Sequence, residues 1–259
     1  MLKTGHQLTD AEIAERYQQL GASLEMPAYY YRAVAEFVGP LSRAVVLDAG
    51  CGTGDLLSEI QRLNPGAALR GIELAQSRVD AARRRLGEGA DIRCGSITGR
   101  LPFEPHCADV LLLTEVIEHL KDPVAGLKNI LALLKPGGAM IVTFPNAAAW
   151  LPFSPAAEKL APRFRPVRGF LPHEHPLRTI QPIDTAFSQS EVFAILRQSG
   201  LRITRAACCE VLPYLAEFAY KFAPHWDIAP LRRPFDRLAT RLGATSLGYR
   251  VFTHCVLNP

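Results

Sequence analysis

One apolar run leads into the first residues able to do chemistry. "VVLDAGCGTGDLL" (45–57) passes from strand-like residues to Asp48 and then sets glycines at 50, 52 and 54. Glycine lets a backbone approach a ligand closely and adopt positive φ. A strand-to-helix turn of this kind is the usual crevice for a nucleotide-like ligand in α/β proteins. The pyrophosphate fingerprint is G-x-G-x-x-G. It fails in both registers, because the sixth position is Asp55 counted from Gly50 and Leu57 counted from Gly52. An acid at 55 would also stand where a pyrophosphate rests. The spacing is D-x-G-x-G-x-G.

A ligand without phosphates fits better. S-adenosylmethionine offers a ribose, an adenine, an amino-acid end and a sulfonium cation. Asp48 can serve the ammonium side, directly or through water. Glu73 ends "GIEL", and an acid there can accept hydrogen bonds from both ribose hydroxyls, as in dinucleotide folds. Cys51, inside the loop, counts with the glycines as a cofactor-binding position. The blander alternative is a tight turn beside a surface acid.

A second constellation lies in "TEVIEHL", with Glu115, Glu118 and His119. If a helix starts near Glu115, Glu118 and His119 fall at i+3 and i+4 on one face. Such a face can bind a divalent cation. It can equally act as a base with an orienting acid, or simply shape a pocket wall. Downstream, "LPHEHPLRT" supplies His173 and His175. His119 is the leading catalytic candidate, with His173, His175 and Glu115 behind it.

Positioning these residues requires alternating strands and helices. "AVVLDAG", "ALRGIEL", "ADIRCGS", "ADVLLLTEV" and "AMIVTFPN" read as strands. "GDLLSEIQRL", "AQSRVDAARRRLGEG" and "VAGLKNILALLKPGG" read as helices between them. This rhythm predicts a doubly wound, mostly parallel α/β sheet with helices on both faces. "SQSEVFAILRQSG" adds a helix with a Ser188/Glu191 capping box, and "LRITRAACCEV" and "GYRVFTHCVLN" complete seven strands. Two helices precede the sheet: "LTDAEIAERYQQL", with a Thr9/Glu12 capping box, and "AYYYRAVAEFVGP", stopped at Gly39-Pro40. The expectation is a single domain, 1–259, with a helical cap (1–40), a lid-like insert (146–187) and a second insert (212–246).

The stretches "VVLDAGCGTGDLL", "GIELAQSRVDAAR", "ADVLLLTEVIEHLKDP" and "LKPGGAMIVTFPN" resemble the class I S-adenosylmethionine-dependent methyltransferases, with their Rossmann-like fold. "FSQSEVFAILRQSGLRITRA" is similar to the family's later helix and strand. The resemblance implies further cofactor contacts. Leu74 would pack on the adenine face. Ser96 or the Ile97 backbone would stand in for the family's Asp or Asn at the end of the third strand. Thr114 would offer its carbonyl to the methionine part, and Tyr30 or Arg32 would close over the methionine carboxylate. "EVIEHL" looks like the ubiquinone-pathway O-methyltransferases, which admit a divalent cation at the two Glu and the His. It is also similar to the metal-dependent RNA 2′-O-methyltransferases, where His173 or His175 would be the last ligand.

Bulk properties narrow the partners. The net charge of +4 and the lack of an obvious RNA module argue against a nucleic-acid acceptor. Six cysteines without a C-x-x-C pair suit a reducing cytoplasm. No secretory signal is read at the N-terminus and no stretch is long enough to span a membrane. The first insert sets Trp150, Phe153, Phe164 and Phe170 among Lys159, Arg163, Arg165 and Arg168, a mixture able to grip a carboxylate, a phosphate or a flat ring. In the second insert, Leu231, Phe235, Leu238 and Leu242 form a helical stripe beside four arginines. That stripe is expected to pack on its own domain or on a partner subunit, with peripheral membrane contact through 230–242 as the alternative. A homodimer stays open. The reading that results is methyl transfer, with S-adenosylhomocysteine as product, to a small amphiphilic, aromatic or acidic molecule, at oxygen in the first instance. Carbon or nitrogen transfer, RNA methylation and non-catalytic cofactor binding are the alternatives.

Overall fold

The computed structural model describes residues 8–20, 26–147, 149, 182–211 and 229–258. The chain opens with α1 (Asp10–Leu20) and α2 (Ala28–Val38). There follow β1 (Val45–Ala49), α3 (Asp55–Leu63), β2 (Ala68–Glu73), α4 (Gln76–Leu86), β3 (Ala90–Cys94), β4 (Ala108–Thr114), α5 (Pro123–Leu131) and β5 (Leu134–Pro145). Then come α6 (Gln189–Gln198), β6 (Leu201–Cys209), α7 (Ala229–Arg241) and β7 (Arg250–Leu257). The seven strands form one sheet in the order β3-β2-β1-β4-β5-β7-β6. β1 pairs parallel with both β2 and β4, so the strand order reverses there. β7 enters antiparallel between β5 and β6. This is a doubly wound, Rossmann-like α/β fold, as the sequence pattern predicts. A reversal point opens a crevice at the carboxyl ends of the strands, where α/β proteins bind ligands.

Side-chain alternation along the strands feeds two separate cores. Leu111, Leu113, Val142 and Phe144 face α5 and α6, packing with Leu127, Ile130, Val192 and Leu196. Val46, Val110, Leu112 and Ile141 face the other way, against Val34 and Phe37 of α2, Leu57 and Ile60 of α3, and Val79 of α4. α2 therefore belongs to one helical layer of the sheet as well as preceding it in the chain. Both expected capping boxes are present. Thr9 Oγ1 accepts from Glu12 N while the Glu12 carboxylate accepts from Thr9 N, and Ser188 and Glu191 do the same at α6.

Two local expectations are corrected. The helix expected over "VAGLKNILALLKPGG" ends at Leu131, and Pro136-Gly137-Gly138 lie within β5. The pairing of β4 with β5 jumps from Ala108↔Leu134 to Val110↔Ala139, so the turn-like residues are absorbed in a bulge. The second correction concerns α7. It packs on β6 through Asp236, Ala239 and Thr240, whereas Phe235, Leu238 and Leu242 of the apolar stripe are exposed. Of the two packings expected for this stripe, on its own domain or on a partner subunit, the first is not made by these three side chains. Its polar side seats the helix instead, because Asp236 Oδ1 accepts from Val211 N at 3.0 Å and Thr240 Oγ1 accepts from Cys208 N at 3.2 Å.

Candidate functional site

The glycine loop sits at the reversal point. Gly50, Gly52 and Gly54 all have positive φ, at 94°, 56° and 82°. A Cβ on Gly50 would stand 2.7 Å from Val116 Cγ2, so the loop and the segment after β4 touch backbone to side chain. Gly54 is the residue from which α3 starts. Glu73, at the end of β2, fixes the loop: its carboxylate accepts from Gly52 N at 2.9 Å and from Ala75 N at 3.0 Å. Arg78 Nη1 of α4 stands 4.0 Å from the same carboxylate. The acid expected to take a ribose thus also ties two consecutive crossovers together.

Asp48 is buried, and its Oδ1 finds no hydrogen-bond partner among the described residues. Burial, and then the charge of Glu73, push its pKa up to about 7. A buried carboxyl oxygen without a donor, at the end of the central strand beside the loop, suits a cationic group such as an ammonium. Across the loop, α1 brings Tyr17 into the field of Glu118 and Glu73; burial first, then these two acids, raise its pKa. Sequence reasoning did not single out Tyr17, which carries the one side-chain hydroxyl of α1 but belongs to no motif there.

The remaining cofactor positions separate by side chain and backbone. Leu74 is half-buried and follows Glu73, and its carbonyl lies 3.5 Å from Cys94 Sγ. Ser96 Oγ is 2.9 Å from Thr98 Oγ1, and the Ile97 carbonyl accepts from Asn129 Nδ2 at 2.8 Å. Cys51 turns its thiol away into the core, where a Cβ on Gly71 would meet it at 2.7 Å; only its backbone belongs to the loop. Thr114 closes β4 opposite Thr143 of β5. Arg32 lies exposed on α2.

Tyr30 is placed differently from expectation. It is fully buried, its hydroxyl 2.5 Å from Thr143 Oγ1 and 3.1 Å from Glu115 Oε1. It therefore walls the sheet edge rather than closing as a lid, since a phenol held by two buried partners has no proton to offer a ligand. Glu115 has φ 53° and accepts also from Thr143 Oγ1 at 3.1 Å and from Arg250 Nε at 3.4 Å. Arg250, at the start of β7, holds Glu210 at 2.5 Å, and Tyr29 hydrogen-bonds Glu210 as well. Burial pushes Glu115's pKa up and the nearby Arg250 guanidinium opposes that. This network joins α2, β4, β5, β6 and β7. Arg250 begins β7 and Glu210 follows the end of β6, and the sequence pattern singled out neither.

The E-x-x-E-H stretch forms a single 3-10 turn, Ile117–His119, so the one-face α-helical arrangement is corrected. The left-handed Glu115 breaks the helix before it begins. His119 Nδ1 lies 2.6 Å from the Ile183 carbonyl. A carbonyl only accepts, so Nδ1 carries the proton and Nε2 keeps its lone pair. Burial lowers the His119 pKa below 6.5, keeping the ring neutral at neutral pH. Nε2 stands 3.8 Å from Glu118 Oε1. Glu118 is buried, its Oε2 has no partner among the described residues, and burial followed by the charge of Glu115 raises its pKa well above the ordinary range. Among the described residues no group of three His, Cys, Asp or Glu is placed to hold a metal ion. Glu115, turned toward Tyr30, Thr143 and Arg250, does not converge with Glu118 and His119. His173 and His175, with the aromatic and basic residues of the first insert, lie outside the described residues.

Residues 47–142 match the family described as a methyltransferase domain. The match spans β1 to β5 and includes the glycine loop, Glu73 and the segment after β4. The chain is similar to the ubiquinone biosynthesis O-methyltransferase of Bradyrhizobium sp. (strain ORS 278), 37% identical over 115 residues, covering 43% of this chain and 44% of that protein. The Idiomarina loihiensis protein of the same name is 35% identical over 145 residues, covering 53% and 56%. The chain thus spans about half the length of the curated relatives it matches. Solved structures share the fold across nearly the whole chain. The 4+2 cyclase SpnF superposes with a TM-score of 0.60 at 19% identity, over 99% of this chain and 97% of that one. The geranyl diphosphate C-methyltransferase of Streptomyces coelicolor gives 0.54 at 17%, over 87% and 79%.

Proposed function

We propose that the protein transfers a methyl group from S-adenosylmethionine to an oxygen of a small amphiphilic, aromatic or acidic molecule. The observation that carries the reading is the neutral His119. Its Nδ1 proton is fixed on Ile183, so its Nε2 lone pair is ready to take a proton from an acceptor hydroxyl. Asp48, the Gly50–Gly54 loop and Glu73 would hold the cofactor, whose sulfonium supplies an electrophilic methyl carbon. The buried orphan oxygen of Asp48 fits the cationic amino-acid end. Leu74 and the Ser96–Ile97 segment would line the adenine side. The remaining work is to hold the acceptor in line with that carbon. The relatives' names, ubiquinone biosynthesis O-methyltransferase, support oxygen as the acceptor atom and a ring-bearing, partly apolar molecule as its carrier. One continuous domain with two inserts, 146–187 and 212–246, is part of the same reading.

Isothermal titration with S-adenosylmethionine should show binding that Glu73→Ala weakens; an intact chain that does not bind refutes the cofactor. The acceptor is found by incubating the chain with labelled S-adenosylmethionine and an extract of the producing cell, followed by mass spectrometry. With that acceptor, His119→Ala should lower kcat by about 100-fold while leaving cofactor affinity unchanged. An unchanged kcat removes His119 from the chemistry.

A further inference from the structure

A helix that packs by its polar side leaves its apolar side for something else. On α7, Asp236 and Ala239 are buried against the body of the protein, while Phe235, Leu238 and Leu242 are 50%, 55% and 73% exposed. At about 100° per residue these three fall within a narrow arc. Next to that arc, Arg233, Arg237 and Arg241 are exposed as well. The outward surface of the helix is therefore half apolar and half basic. Asp236 is the one acid of the segment 229–241, and it is turned inward onto Val211 N.

We propose that this face of α7 seats the protein on an anionic membrane surface. A row of leucine and phenylalanine beside a row of arginines is the arrangement that enters the headgroup boundary with its apolar side and meets lipid phosphates with its cations. A second copy laid antiparallel on this face fits poorly, because the two-fold then sets the arginine row beside its own image. A lipid surface brings anions across the whole row at once. The occupant is a bilayer leaflet carrying acidic headgroups, and its consequence is that an amphiphilic acceptor meets the protein already at the surface where it is dissolved.

The test is co-sedimentation of the full chain with vesicles of phosphatidylcholine containing about one-third phosphatidylglycerol, against pure phosphatidylcholine vesicles. The chain should pellet with the acidic vesicles, and the partition should fall as salt is added. Leu238→Asp with Leu242→Asp should weaken binding about tenfold or more. Arg237→Gln with Arg241→Gln, which keeps the apolar row, should weaken it about tenfold. These side chains are exposed, so circular dichroism and thermal melting should match the native chain. Failure of the native chain to pellet overturns the proposal, as does equal binding to neutral vesicles. Undiminished binding of both double variants overturns it too. A dimer in sedimentation equilibrium that Leu242→Asp dissolves would assign the face to a second copy and refute the membrane.

Discussion

Asp48→Asn should make the ligand-free protein more stable and the cofactor complex weaker, and the size of the first effect depends on pH. In the fold the carboxyl titrates near 7 rather than at 3.8, because it is buried and faces Glu73. Its folded pKa is raised, so the protonated form is favoured by folding. Stability is retained at acidic pH and lost as pH rises from the unfolded value toward 7. Fully ionised at pH 8, the group costs the fold about 4 kcal/mol; at pH 5 the penalty is about 1.5 kcal/mol. An asparagine removes the charge but leaves an amide in the same buried place, which returns about 1–2 kcal/mol of that gain. The net expectation is about 2 kcal/mol at pH 8 and nothing at pH 5. For a chain of this size the pH 8 gain raises Tm by about 5 °C. Thermal denaturation of native and variant chains at the two pH values reads this directly. Saturating S-adenosylmethionine should then raise the variant's Tm less than the native Tm, because about tenfold of affinity for the ammonium is lost. A variant less stable than the native chain at pH 8, or an equal gain at both pH values, refutes the argument.

Arg250→Met leaves Glu210 and Glu115 facing each other without their shared cation and should cost about 3–5 kcal/mol, read by urea denaturation. Gly50→Ala places a methyl against Val116 at a φ of 94°, so cofactor affinity measured by titration should drop about tenfold or more while the far-UV spectrum persists. The lowered pKa of His119 means that the base stays unprotonated through neutral pH; kcat/KM should be flat near pH 7 and decline only below 6.5. An acidic limb above pH 7 would contradict that assignment.

Much of this molecule is visible in its residue pattern, for identifiable reasons. Buried parallel strands and amphipathic helices announce themselves by period, so the sheet, its flanking helices and both capping boxes could be placed from sequence. Asp48, the three glycines and Glu73 were legible because a strand-to-helix turn constrains residue type at fixed offsets. What escaped is long-range. Tyr30 reads as a lid residue on a helix of three tyrosines, yet its position is decided by Thr143 and Glu115, more than 80 residues away. The left-handed backbone of Glu115 is invisible in a stretch that otherwise reads as helix, and it determines that Glu118 and His119 share a 3-10 turn. The stripe on α7 was seen, but its outward orientation is a tertiary choice, made by the hydrogen bonds that Asp236 and Thr240 accept.

The buried arginine at the start of β7 has a consequence in time. Its network draws on distant parts of the chain: Tyr29 and Tyr30 hydrogen-bond Glu210 and Glu115, the two acids that Arg250 pairs with. A chain made from its N-terminus exposes the cap helix first, yet the ionic lock that fastens this helix to the sheet edge needs the last strand. The glycine loop, Asp48 and Glu73 come from the first third of the chain and involve only near neighbours in sequence. The glycine loop therefore has its parts early, while the network around Arg250 waits for β7.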